Sequence, residues 1–238
     1  IDKMRAEADA ATGTPIPNLT GQTVADVVRN GDLLYVGLSA KNLVALNIED
    51  FSVAWTVETQ HGVWSKPLLL EGVLYFTSLD HFLYAADAET GDLKWKLDLE
   101  GALTSTPLYD EVTGRLFIGS FARKIFEVSL DGQIVNQYAA ADWIWGAPVI
   151  VDGTLYTADL VGNVYALDTT NNLSEIWKQK VADRAIRGTP LVTGDTIVVA
   201  SSDQMLYWLD RADGRIMRDS DGHPLIRDVG AEIFSDVL

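Results

Sequence analysis

A segment that combines a strand, a tight turn and a tryptophan recurs along this chain at a fixed spacing. Its clearest copy covers residues 85–95, in which Asp87 and Gly91 suit a turn and Trp95 offers a large apolar face. A period near 40 residues is typical of a β-propeller, so this spacing constrains the fold more than any other feature. The tryptophan position of the segment recurs at intervals of 40 or 41 residues, at Trp55, Trp95, Asn136, Trp177 and Met217.

Two further markers share this period. One marker is a glycine that follows each of four regularly spaced prolines. It stands three residues before an aromatic or aliphatic strand residue, as Gly72 does before Tyr75. Each repeat thus offers four short apolar stretches separated by turn residues, which predicts a four-stranded antiparallel blade. A β-sandwich with accidental self-similarity is the alternative. The other marker is a small residue two positions before proline, at Ser65/Pro67, Ser105/Pro107, Gly146/Pro148 and Gly188/Pro190.

The repeat divides the chain into an N-terminal segment and a propeller. Residues 1–20 are predicted to be a short helix and linker, and residues 21–238 the all-β propeller domain. Ser235 and Val237 match Ser65 and Pro67, which predicts the first strand of a sixth blade. A propeller protects its sheet edges by closing its ring, so we expect the natural chain to continue beyond Leu238, with an unusual ring as the alternative. Five blades are expected, at about 21–58 (first strand 24–28), 59–99, 100–140, 141–182 and 183–220.

Composition narrows the classes of partner. The chain has 18 basic and 34 acidic residues, a net charge of −16, which opposes binding to nucleic acid. No apolar stretch approaches the roughly 20 residues of a membrane helix, so no membrane span is predicted. The absence of cysteine excludes disulfides and thiol catalysis.

Residues 85–95 resemble the tryptophan-docking motif of the PQQ-like β-propeller repeat superfamily at every defined position. The resemblance extends over roughly residues 24–238, and it implies that Trp55, Trp95 and Trp177 lock neighbouring blades together. The superfamily includes quinoprotein alcohol and glucose dehydrogenases. It also includes non-catalytic members, such as the propeller lipoprotein of the bacterial outer-membrane barrel-assembly machinery, which this chain resembles more in character.

The resemblance would imply PQQ and Ca²⁺ only if the chain were part of a quinoprotein dehydrogenase. Such enzymes hold Ca²⁺ through Glu and Asn and use an Asp as base, and we find no local cluster of these residues here. No catalytic residue, cofactor or metal ion is therefore expected. Asp80, Asp159 and Asp203 lie in equivalent loops and are interpreted as turn residues, with a catalytic role as the alternative.

One side of the propeller carries the candidate binding residues. By topology, the loops between blades and the loops between second and third strands emerge together, and Phe121 is also among their residues. Tryptophan and arginine are enriched at protein interfaces. The alternative is that Trp143 and Trp145, which alternation places on one face, pack inside the ring. The predicted partner-binding residues are Trp64, His81, Arg123, Trp143, Trp145 and Arg187.

These observations predict a non-catalytic propeller scaffold that binds protein partners in an extracytoplasmic complex. By resemblance, the complex would be periplasmic or at the cell surface, with the N-terminal segment as a tether. A quinoprotein dehydrogenase fragment and the ligand-sensing domain of a larger protein remain as alternatives.

Overall fold

The computed structural model describes residues 26–233, and this part of the chain consists of β-strands, turns and loops. None of it forms a helix long and apolar enough to cross a bilayer. The predicted helix and linker at residues 1–20 lie outside the described residues. The predicted first strand of a sixth blade covers residues 230–238, of which only 230–233 are described, and these four residues form no strand.

The chain forms two compact units that divide between Asp98 and Leu99. The first unit contains two antiparallel four-stranded sheets, each with its strands in chain order. The first sheet consists of β1 (Val28–Asn30), β2 (Leu33–Leu38), β3 (Asn42–Asn47) and β4 (Val53–Glu58). The second sheet consists of β5 (Leu68–Leu70), β6 (Val73–Thr77), β7 (Phe82–Asp87) and β8 (Leu93–Asp98).

The second unit contains three sheets of the same topology. The third sheet consists of β9 (Leu108–Asp110), β10 (Arg115–Ser120), β11 (Lys124–Ser129) and β12 (Ile134–Ala139). The fourth consists of β13 (Val149–Val151), β14 (Thr154–Ala158), β15 (Asn163–Asp168) and β16 (Ser174–Lys180). The fifth consists of β17 (Leu191–Thr193), β18 (Thr196–Ala200), β19 (Met205–Asp210) and β20 (Ile226–Asp228). The predicted all-β architecture of four-stranded propeller blades is confirmed.

Two predicted boundaries were wrong. The first sheet begins, within the described residues, at β1 rather than at residues 24–28. The fifth sheet does not end near residue 220, because its fourth strand is interrupted. Residue Met217 donates its backbone N–H to Trp208, the chain then leaves the sheet in a hairpin over residues 218–224, and pairing with β19 resumes at β20.

Apolar side chains of the middle two strands of each sheet form the core. In the first unit, residues of the first and second sheets, such as Leu43 and Phe76, share one cluster. In the second unit, Phe117 and Tyr165 belong to a cluster of the third and fourth sheets, and Trp177 belongs to one of the fourth and fifth. Within each unit the sheets therefore pack through both apolar faces of their inner strands.

A single row of residues crosses each of the first four sheets next to a β-bulge. In the second sheet this row runs Tyr75, Ala85, Trp95, and the register shifts between Ala85 and Ala86. The bulge leaves one extra residue on the fourth strand and bends that strand beside the tryptophan. The same row and bulge recur as Tyr35–Ala45–Trp55, Phe117–Glu127–Asn136 and Tyr156–Ala166–Trp177.

Candidate functional site

The loops at one end of the strands bond to one another in each unit. In the second unit, Phe121, Leu160 and Ser202 each donate a backbone N–H to the loop that enters the same sheet, at 2.9–3.1 Å. The loops between second and third strands and the loops between sheets therefore share one surface. We call it the loop face of the second unit; it comprises residues 99–107, 121–123, 140–148, 159–162, 181–190 and 201–204.

Four side chains of this loop face form an aromatic cluster. The ring of Phe121 stacks on Trp143 with centroids 4.8 Å apart and an interplanar angle of 10°, and it lies 5.3 Å from Trp145. The guanidinium of Arg187 lies 5.7 Å from the centroid of Trp145, in cation–π contact. Three residues predicted separately from the sequence thus meet in one cluster around Phe121.

The backbone explains why both tryptophans contact Phe121. Ile144, between them, is fully buried and forms an isolated antiparallel bridge with Asp159. Extended backbone directs alternate side chains to opposite sides, so Trp143 and Trp145 share the side that Ile144 does not occupy. The Thr104 hydroxyl also donates a hydrogen bond of 2.8 Å to the carbonyl of Trp145.

The cluster presents apolar surface to solvent. Trp143 is 45% exposed. Val161 is 40% exposed, and it follows Leu160, whose backbone N–H donates to the carbonyl of Trp143. Trp145 and Arg187 are half-buried. Thr104 and Val161 carry no signal of a binding site in the sequence, because neither belongs to a residue type that is enriched at protein interfaces.

Charged side chains also lie on or next to the loops of this face. Arg123 is exposed and, among the described residues, its side chain makes no ion pair. Lys124 is paired with Glu100 at 2.6 Å, and Arg184 with Glu232 at 3.5 Å. The loop face therefore combines a half-exposed aromatic cluster with a polar rim, the composition typical of a protein interface.

The remaining two predicted partner-binding residues belong to the first unit. Trp64 is half-buried, and a Cβ on Gly62 would lie 2.9 Å from its Nε1, so its indole packs on its own loop. His81 is exposed at a positive φ of 80° and donates its backbone N–H to Ser78. In the described part of the chain, neither residue stacks on an aromatic ring as Trp143 does on Phe121, and both stay predictions.

The three loop aspartates accept hydrogen bonds from tyrosines of the third strands. The bonds Tyr84–Asp80 and Tyr165–Asp159 are 2.7 and 2.6 Å long, and Tyr207 donates equivalently to Asp203 at 2.7 Å. Burial, and then the hydrogen bond to the aspartate, raises the pKa of each of these tyrosines well above its ordinary value.

Each of these carboxylates also accepts backbone N–H groups of its own loop. Asp159 accepts from Val161 and Asn163 at 3.1 and 2.8 Å, and its side chain is fully buried. These hydrogen bonds let each aspartate stabilise its own loop, and those of Asp159 and Asp203 belong to the loop face of the second unit. This geometry matches the interpretation as turn residues.

Two of the three predicted docking tryptophans contact a turn of the next sheet within their unit. The ring of Trp55 lies on Gly91, and the ring of Trp177 lies on Gly214. A Cβ added to Gly91 would lie 2.7 Å from the Trp55 ring, and one added to Gly214 would lie 2.5 Å from the Trp177 ring. Trp177 also donates its indole N–H to the carbonyl of Arg211 at 3.1 Å. Trp95 stands 5.8 Å from Tyr75 of its own sheet.

One group of potential metal ligands occurs among residues 26–233. Oxygen and nitrogen atoms of Asp219, Asp221 and His223 lie within 4.8 Å of one another, and all three residues are exposed. The Asp219 carboxylate accepts hydrogen bonds from the backbone N–H groups of Asp221 and His223, and these bonds stabilise the hairpin turn. We assign no metal to this turn.

Comparisons with known proteins agree with this architecture. Residues 6–220 match the family model described as outer membrane protein assembly factor BamB. A relative with that name from Moranella endobia (strain PCIT) is 25% identical over 260 residues, which cover 87% of this chain and 66% of the relative. The crystal structure of BamB from Moraxella catarrhalis superposes with a TM-score of 0.72 at 18% identity, over 90% of this chain and 66% of that one, and shows the same fold.

Quinoprotein alcohol dehydrogenase PedH from Pseudomonas putida also resembles the chain. It is 28% identical over 148 residues, which cover 52% of this chain and 25% of the enzyme. The chain spans between half and two thirds of the length of the BamB relatives from Moranella endobia, Yersinia pestis and Bordetella pertussis. Because the matched model covers most of the sequence, the chain belongs to the BamB-type family of PQQ-like β-propeller proteins.

Proposed function

We propose that this chain is part of a non-catalytic propeller that acts in outer-membrane protein assembly in the periplasm, where it binds a protein partner. The main support for this proposal is the aromatic cluster of the loop face. It combines the residue types that dominate binding hot spots with a half-exposed tryptophan, Trp143, on a rigid base of β-sheets.

The packing within the cluster supports a contact that needs little reorganisation. Phe121 holds both tryptophans, and Arg187 lies against Trp145, so these rings lose little further side-chain freedom on binding. A partner that covers Trp143 and Val161 would bury apolar surface at the centre, while Arg123 offers a charge at the rim.

The proposed function requires no cofactor. The alternative, a PQQ- and Ca²⁺-dependent dehydrogenase, is favoured by the similarity to PedH, which covers a quarter of that enzyme. Titration of the full-length protein with PQQ and Ca²⁺ separates the two functions. Stoichiometric binding, read from the quinone absorbance, would establish the alternative, whereas a flat titration supports the scaffold.

The interaction is tested with full-length protein and detergent extracts of outer membranes from the same bacterium. Trp143→Ala and Arg187→Ala are each expected to reduce the recovery of co-purifying assembly proteins by about tenfold, the loss of roughly 1.4 kcal/mol. Leu93→Ala is the matched control, since Leu93 is 48% exposed but lies on an outer strand of the second sheet.

Urea unfolding of each variant shows whether the fold is retained. Recovery that is unchanged in the two loop-face variants, with the fold intact, would contradict the assignment of this surface. We also propose that residues 1–20 tether the propeller to the membrane; removal of this segment should then release the protein into the soluble periplasmic fraction.

A further inference from the structure

A cleft of about 550 Å³ lies between the fourth and fifth sheets, at the end of the strands opposite the loop face. The turns that border it, at residues 153, 194–195 and 210–212, join first to second and third to fourth strands. Its volume is within the range of small-molecule and side-chain binding sites. A segment bound here would not cover the aromatic cluster.

One side of the cleft is aromatic and aliphatic. The rings of Tyr156 and Trp177 have centroids 6.0 Å apart and form one corner. Ile176, the bulged residue of β16, forms the lip and is 51% exposed. The bulge explains this exposure, since it turns one apolar residue of the strand away from the core.

Arg211 completes a wall of the cleft with its guanidinium nitrogens engaged. It donates to the Tyr156 hydroxyl at 3.2 Å, to the Gly194 carbonyl at 3.1 Å and to the Asp152 carboxylate at 2.5 Å. The ion pair with Asp152 offsets the positive charge. The cleft is therefore poorly suited to an anion, although it contains an arginine.

Two further carboxylates in the lining are not offset in this way. Asp195 and Asp210 are both exposed, and neither forms an ion pair with any residue in the described part of the chain. The Asp210 carboxylate accepts a hydrogen bond from the backbone N–H of Ala212 at 2.8 Å. The charge of the lining, with Asp152 and Arg211 paired, is thus negative, as is the net charge of −16 for the whole chain.

We propose that this cleft binds the side chain of a lysine or arginine from an extended segment of a protein partner. The methylene stem would lie along Ile176 and the aromatic corner, while the cationic head would lie between Asp195 and Asp210. The acidic charge of the chain favours the approach of such a segment. The site is independent of the proposed function of the loop face, so one molecule could hold two segments at once.

The test uses full-length, ¹⁵N-labelled protein and two acetylated, amidated probes, tetra-arginine and tetra-glutamate. The indole N–H resonance of Trp177, identified through Trp177→Phe, should shift with tetra-arginine and stay in place with tetra-glutamate. The double variant Asp195→Asn/Asp210→Asn should weaken binding of tetra-arginine by about tenfold, from two exposed ion pairs. Ile176→Ser should weaken it a few-fold through the loss of apolar contact.

The matched control is Asp32→Asn/Glu49→Gln, which changes the net charge equally at exposed sites of the first sheet. It should retain the affinity of the unmodified protein. The proposal is overturned if Trp177 does not respond, or if both double variants weaken binding equally, since binding would then reflect the acidic surface as a whole. Trp143→Ala, which tests the loop face, should leave this titration unchanged.

Discussion

The indole of Trp55 lies directly on Gly91, so closely that a Cβ at residue 91 would approach its ring atoms Cδ2 and Cε3 to 2.7 Å. Trp55 belongs to the first sheet and Gly91 to the turn between the last two strands of the second. The contact therefore joins two sheets through a flat ring and a residue without a side chain. Trp177 and Gly214 repeat it between the fourth and fifth sheets.

Gly91→Ala should destabilise the protein more than Gly72→Ala. Both glycines have a φ near 77°, so each alanine carries the cost of a left-handed conformation, about 1 to 2 kcal/mol. Gly72 has no atom within 4 Å of an added Cβ, whereas Gly91 meets Trp55. The overlap should add about 1 to 3 kcal/mol to the loss in free energy of unfolding, measured with urea. Equal losses would mean that Trp55 moves aside freely.

The third and fourth sheets meet through a polar version of the same contact. Asn136 replaces the tryptophan, Asn172 replaces the glycine, and the buried Glu127 replaces the alanine of the row. Asn136 donates to Glu127 at 2.7 Å and to Asn172 at 3.4 Å. Arg115 lies 3.9 Å from the other oxygen of Glu127.

We predict that Asn136→Trp alone destabilises this junction, by about 1 to 3 kcal/mol, because Glu127 and Asn172 occupy the space an indole needs. The combination with Glu127→Ala and Asn172→Gly should recover at least half of the loss. Urea unfolding of the single, double and triple variants measures this coupling. Additive losses in the triple variant would show that the three positions do not act as a unit.

In the first unit a tyrosine bonds the carbonyl that a tryptophan bonds at the equivalent place in the second unit. The hydroxyl of Tyr35 donates to the carbonyl of Ala88 at 2.9 Å, and the shielded Nε1 of Trp55 has no hydrogen-bond partner. At the equivalent position of the fifth sheet, the carbonyl of Arg211 accepts from Trp177 instead.

Tyr35→Phe should therefore cost less than about 1 kcal/mol, because the indole of Trp55 can take the free carbonyl. The same substitution in a Trp55→Phe background should cost about 1 kcal/mol more, since the carbonyl of Ala88 is then left without either donor. Slower hydrogen exchange of the Trp55 indole N–H in Tyr35→Phe would report the new bond directly. Identical costs in both backgrounds would show that the indole does not move.

Stability should fall at alkaline pH. Tyr84, Tyr165 and Tyr207 have pKa values raised by burial and by their aspartates, relative to the ordinary value of 10.0. Above that value the unfolded chain loses the phenolic protons while the folded chain keeps them, so unfolding is favoured as pH rises. Tyr84→Phe/Tyr207→Phe should flatten the decline in urea midpoint between pH 9 and pH 11 relative to the unmodified protein. An unchanged slope would exclude Tyr84 and Tyr207 as its source.

The repeat itself was readable from the sequence because its signals are local. Turn residues such as Gly91, the alternation of apolar residues and the spacing of Trp55, Trp95 and Trp177 are properties of short segments, and they determine four antiparallel strands per sheet. The fifth sheet was misjudged because the hairpin at residues 218–224 interrupts a strand after Met217 has already paired. No local signal shows that pairing resumes at Ile226.

The candidate sites, by contrast, depend on residues from different loops. Trp143 and Arg187 are conspicuous in the sequence, but only the packing of the loops places Phe121 against both tryptophans and Arg187 over one of them. Likewise, Arg211 marks a wall of the cleft only because the fifth sheet packs beside Tyr156 of the fourth. The sequence by itself determined the four strands of each repeat and the spacing of the docking tryptophans, because turns and periodicity are local properties. Only the tertiary structure decided which side chains meet, because those contacts form when separate sheets pack together.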